Sequence, residues 1–153
     1  MIKSYLIGLA VVVLVTTALV SGWFSRPANL LMSLKSESCD LNDSVCQAST
    51  SDLIMQLDFN PKPVPILKPI TITAALSGFT IPPAKIQLVL EGVNMYMGFQ
   101  KAWLEQQEGS SQYVGTLLIP SCEITDMQWK VTLLLPSGSP VERAEFYMQT
   151  HHE

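Results

Sequence analysis

The ten residues Met127–Pro136, "MQWKVTLLLP", decide the fold class. Met127, Trp129, Val131, Leu133 and Leu135 fall on every second position, and Gln128, Lys130 and Thr132 stand between them. Successive side chains of a strand point to opposite faces, so this spacing builds one apolar face and one wetter face. Wound as a helix, the same apolar residues would be spread around the axis instead of gathered on a stripe.

The period of two extends in both directions. Leu53, Met55, Leu57 and Phe59 alternate with Ile54, Gln56 and Asp58; Ile70, Ile72, Ala74 and Leu76 alternate with Thr71, Thr73 and Ala75. Ile86, Leu88 and Leu90 alternate with Lys85, Gln87 and Glu91, and Phe99 and Trp103 share a face with Lys101 between them. "YVGTLLIP" and "VERAEFYMQ", the latter with Ala144, Phe146 and Met148 facing inward, complete the series. Between the first two segments "NPKPVPILKP" holds four prolines, each lacking a ladder donor, so it reads as an edge or a loop. Turn signals in "QQEGSSQ" and "PSGSP" separate later segments. About seven short strands at this spacing predict an all-β, immunoglobulin-like antiparallel β-sandwich over residues 53–153.

Upstream the pattern changes twice. From Tyr5 to Phe24 the chain runs 20 residues without a charge, about the length at which an α-helix crosses the hydrocarbon core of a bilayer. Lys3 and the amino terminus precede it, which favours a cytoplasmic amino terminus. Trp23 and Phe24 resemble an interfacial aromatic belt. Residues 1–24 therefore read as an uncleaved signal anchor, which puts the carboxyl-terminal domain in the periplasm of a single-pass inner-membrane protein. A cleaved signal peptide is the rival, with Val20-Ser21-Gly22 as small residues near a cut. Residues 25–52 are rich in Ser, Asn and Asp and show little sustained period, so they read as a linker. Within it "CDLNDSVC" places six residues between Cys39 and Cys46, with turn chemistry at Asn42-Asp43-Ser44, and an exported domain allows these two to pair.

Several function classes are disfavoured. Beyond Phe24 the chain carries 8 basic and 13 acidic side chains, and its lysines are isolated, which does not suit nucleic acid. Catalysis needs a base beside its partner, and the two histidines, His151 and His152, sit at the carboxyl end, where a solvated tail is expected. No Gly-rich phosphate loop, HExxH or CxxC occurs, so the expectation is a protein that is not an enzyme.

Sulfur is the remaining chemistry. With Cys39 and Cys46 paired, Cys122 is left over, and thiolate and thioether sulfur are soft donors suited to Cu(I). Met95, Met97, Cys122 and Met127 form the candidate metal set. On an extended backbone Met95 and Met97 point to one side, while Cys122 and Met127 flank the turn-like "EITD". The plain alternative is packing, because Met fills irregular gaps and an unpaired Cys is often an inert buried hydrophobe. Trp103 and Trp129 read as core anchors.

"VNMYMGFQKAWLEQQEGSSQYVGTLLIPSCEITDMQWKVTLLL" resembles the FixH-like and YtkA-like periplasmic β-sandwich proteins, through Met97-Gly98, Tyr113 and Trp129. "CDLNDSVC", "MYMG" and "PSCEITDMQWK" are also similar to small membrane-anchored proteobacterial proteins. The stapled loop and Cys122 depart from the FixH-like pattern. That resemblance implies a role in assembling a copper-containing membrane oxidase, with the oxidase or its assembly proteins as partners. Two readings therefore stand: a tethered Cu(I)-binding domain, or a metal-free interaction module that docks on an inner-membrane complex.

Overall fold

Sustained alternation becomes strand throughout the computed structural model, which describes residues 33–151. The expected membrane span and His152 lie outside the described residues. Among those described, no helix is long and apolar enough to cross a membrane. The fold is all-β, with nine strands: β1 (Ser33–Asp40), β2 (Cys46–Ser49), β3 (Ile54–Asn60), β4 (Pro69–Ser77), β5 (Lys85–Gly92), β6 (Phe99–Gln106), β7 (Gln112–Leu118), β8 (Asp126–Leu134) and β9 (Arg143–His151).

Hydrogen bonding links them in the order β1-β9-β8-β5-β6-β7-β4-β3-β2. All neighbours are antiparallel except β1, which runs parallel to β9. The ladder is thin at one joint. β5 pairs β6 along its whole length, from Lys85↔Glu105 to Glu91↔Phe99, whereas β6 meets β7 only at Glu105↔Val114 and Gln106↔Tyr113. That joint divides the sheet into two wings that fold face to face, sandwich-like, over a shared core. Gly115 sits in the crease: a Cβ there would overlap the carbonyl oxygen of Trp103, so only glycine lets the two strands approach.

The buried faces are those the alternation marks. Met55, Leu57, Phe59, Ile70, Ile72, Ile86, Leu88, Leu90, Trp129, Val131, Leu133 and Phe146 are essentially inaccessible. Each such side chain contributes about 1.5–3 kcal/mol relative to exposure. The two large polar-tipped anchors are satisfied: Trp129 Nε1 donates to Thr150 Oγ1 (2.9 Å), and the Tyr113 hydroxyl donates to the Pro83 carbonyl (2.7 Å). Burial also raises the Tyr113 phenol above its ordinary pKa.

The segment expected as a linker behaves differently from its reading. The seven strands from residue 54 onward match the expected number, but β1 and β2 arise from residues 33–49 and belong to the same sheet. β1, "SLKSESCD", has no apolar alternation to announce it. It is held through main-chain pairing with β9 and is displaced by a register shift between Lys35 and Asp40. β2 buries only Cys46 and Ala48, residues too small to read as a core stripe. These are the two terminal strands of the hydrogen-bonded order, yet they lie side by side. The expected disulfide, Cys39–Cys46, joins them with a Cα–Cα distance of 5.7 Å.

The double variant Cys39→Ser, Cys46→Ser is expected to lose about 2.5 kcal/mol, the loop entropy of so short a ring. The denaturant midpoint should fall while the m-value stays near that of the parent. An unchanged midpoint would show that β1 and β2 hold together without the bond.

Candidate functional site

One pole of the sandwich gathers five parts of the chain: the turn 41–45, the connection 61–68, the loop 93–98, the loop 119–125 and the end of β9. They are tied by side chains that imitate strand pairing. Val93 N–H donates to the Gln128 carbonyl (2.8 Å), Asn94 Nδ2 donates to the Asp126 carbonyl (2.8 Å), and Gln128 N–H donates to Asn94 Oδ1 (3.0 Å). Asn94 thus extends the β5–β8 ladder past its last backbone pair, Gly92↔Trp129. On the other side the Asp40 carboxylate accepts the N–H of Asn42 (2.8 Å) and of Gln149 (3.1 Å), while Asn42 Oδ1 accepts the Val64 N–H (2.7 Å).

The four candidate sulfur residues lie in this region. Met95 and Met97 belong to the loop 93–98 and not to an extended strand, so the expectation that they project to one side on strand geometry does not hold. The reason is Gly92. The loop folds back over it, and a Cβ there would overlap both the Met95 carbonyl oxygen and Met127 Cε. Met95 main chain and the Met127 side chain therefore converge on one point. Met127 itself is buried in the core, and Met95 and Met97 are half-buried against the same cluster. Cys122, in the loop before β8, is 9% exposed and belongs to that cluster too; burial raises its thiol pKa. All four residues thus pack in or against the one apolar core, and at Gly92 the Met95 carbonyl oxygen and Met127 Cε come together.

Beside them a cleft of about 260 Å³ is lined by residues that include Asp40, Asn42, Asp43, Asp126 and His151. His151, expected in a solvated tail, is an exposed residue of β9 whose Nδ1 lies 2.6 Å from Asp126 Oδ1. Among the described residues no three His, Cys, Asp or Glu side chains gather as a metal-binding group.

Apolar exposure at this pole was not anticipated from the sequence. Tyr96 is 80% and Phe99 55% exposed, and their rings meet edge to face with centroids 6.3 Å apart; Val93 is exposed nearby. In "EGVNMYMGFQ" these residues fall between or beside two glycines, where alternation does not fix which side chains are buried. Gly98, with φ of +70°, makes the turn that brings Phe99 back beside Tyr96. Trp103 also corrects its reading as a core anchor. It is 54% exposed on the outer face of β6, where Lys85 Nζ lies over its ring at 4.8 Å, because Ala102 and Leu104 take the inward positions.

In the folded chain the Cys122 thiol remains protonated past the pH at which an ordinary thiol ionises. Alkylation at pH 8 is expected to proceed more slowly than in the denatured chain. The gap should narrow as pH rises above the ordinary thiol range. Mass-spectrometric time courses check this, and equal native and denatured rates would contradict the burial.

No protein-family model matches the chain, and neither a curated protein nor a solved structure matches it.

Proposed function

We propose that the chain is a single-pass inner-membrane protein whose periplasmic domain, an immunoglobulin-like β-sandwich, docks on another inner-membrane protein through the pole that carries Tyr96 and Phe99. It binds and does not turn over substrate. The observation that carries this reading is the exposed, mutually packed Tyr96–Phe99 pair on a loop that also exposes Val93. Aromatic side chains offered to solvent on a braced loop are the residue type that dominates binding energy at protein interfaces. The bracing matters as well, because Asn94 ties the loop to β8 and so lowers the ordering cost of association. The 20-residue uncharged stretch and the disulfide support the anchor and the oxidising compartment.

A benzophenone side chain placed at position 96 should form one discrete adduct in native membranes, and the same group at Thr116, exposed on β7, should not. Phe99→Ser should weaken the interaction by about 2 kcal/mol, roughly thirty-fold. Adducts of equal yield from both positions would remove the docking surface.

A second reading has its own observation. The approach of the loop carrying Met95 to the Met127 side chain at Gly92, with Met97 and Cys122 packed in or against the same core, supports a Cu(I) site of soft donors, in line with the resemblance to FixH-like proteins and a role in assembling a copper-containing oxidase. Met97, Cys122 and Met127 would hold the ion, with Met95 as a fourth donor. Ligation by Cys122 releases the thiol proton that burial favours, so apparent affinity should rise about tenfold per pH unit below the thiol pKa. Anaerobic Cu(I) titration of the full chain checks this against a Cys122→Ser, Met97→Leu variant. Equal uptake by both removes the site and leaves the docking module.

A further inference from the structure

The opposite pole carries a surface of another kind. The polypeptide joins the sheet at Ser33, paired with Arg143 at the start of β9, and therefore beside the turn between β8 and β9. The connection 78–84, "GFTIPPA", and the turn 135–141, "LPSGSPV", lie together there, and neither contains a charge. Between them runs an open groove of about 360 Å³ lined by residues that include Phe79, Ile81, Pro82, Pro136 and Pro140. Ile81 is 85% exposed, more than any other large hydrophobic residue described.

We propose that these two loops rest on the lipid interface, with Ile81 as the inserted side chain. The inference rests on the reading of residues 5–24 as a membrane anchor. Only eight residues, 25–32, separate the end of the uncharged stretch from β1. Fully extended they span at most about 29 Å, so the Ser33 pole cannot leave the vicinity of the bilayer surface.

In the turn between β8 and β9 the main chain meets part of its own hydrogen-bonding demand. A lipid-facing turn must satisfy its own donors, since the hydrocarbon offers no acceptors. In the turn after β8, Leu135 N–H donates to the Glu142 carbonyl (3.0 Å), Gly138 N–H to Glu142 Oε1 (3.1 Å) and Ser139 N–H to the Pro136 carbonyl (3.1 Å). Pro136 and Pro140 have no donor to satisfy, nor do Pro82 and Pro83 across the groove. Lys85 and Arg143 open the strands that leave the two loops; Lys85 lies over the Trp103 ring and Arg143 faces Glu145 at 4.0 Å, so the apolar Ile81 and not these cations carries the contact. Glu142 accepts from the Gly138 N–H, and Asp52 and Glu108 lie near Gly78 and Phe79 on the adjoining turns.

The test uses the full chain in phosphatidylcholine vesicles containing a minority of phosphatidylglycerol. An environment-sensitive fluorophore is attached at Ile81→Cys, or at Thr116→Cys as control, each with Cys122→Ser. Doxyl-labelled lipid should quench the label at position 81 several-fold more than the control, and aqueous iodide should do the reverse. If the chain floats with the vesicles but the position-81 label is as wet as the control, the docking is overturned while the anchor stands. If the chain does not float, anchor and docking fall together. A label shielded from both quenchers would assign the groove to a protein and overturn the lipid contact.

Discussion

The bond between Cys39 and Cys46 closes a sheet that would otherwise end in two open edges. β1 and β2 are the terminal strands of the hydrogen-bonded order, and each has one side without a ladder partner. Open edges template pairing with other chains. Here the two are brought beside one another and clamped, and the turn between them is braced by Asp40 and Asn42. Those same two residues reach β9 and the connection before β4. The covalent seam thereby also positions the neighbouring loops.

The opposite joint is closed without covalent chemistry. Between β6 and β7 the ladder shrinks to two pairs, and what holds the wings there is the close approach of Gly115 to Trp103 together with the apolar core beneath. One crease and one seam, together with a core whose largest buried side chains include Trp129, Phe146 and Phe59, turn a single nine-stranded sheet into a sandwich-like body. Antiparallel twist makes such folding over the natural solution for a sheet this wide.

The two poles then differ in what they expose. Around Gly92 the loop is pinned by side-chain amides and lifts aromatic rings into solvent, with sulfur packed behind them. At the Ser33 pole the loops are uncharged and rich in proline, and the turn after β8 satisfies much of its own main chain. Braced aromatic rings suit a protein partner. An uncharged surface with an exposed aliphatic side chain suits lipid.

The strands from residue 54 onward were legible because half-buried strands impose a period of two, which Leu53 through Phe59 and Ile70 through Leu76 keep and which Met127 through Leu135 keep apart from the buried Thr132. The disulfide was legible because six intervening residues and a turn-forming centre suffice to close a ring. β1 was not, since its stability comes from main-chain bonds to a strand more than a hundred residues away, which leave no mark on its own side chains. For the same reason the direction of Met95 and Met97, the outward turn of Trp103 and the exposure of Tyr96 were decided only by tertiary structure. Local alternation records which face of a strand is dry; it carries no information about loops whose course is set by a glycine and by partners distant in the chain.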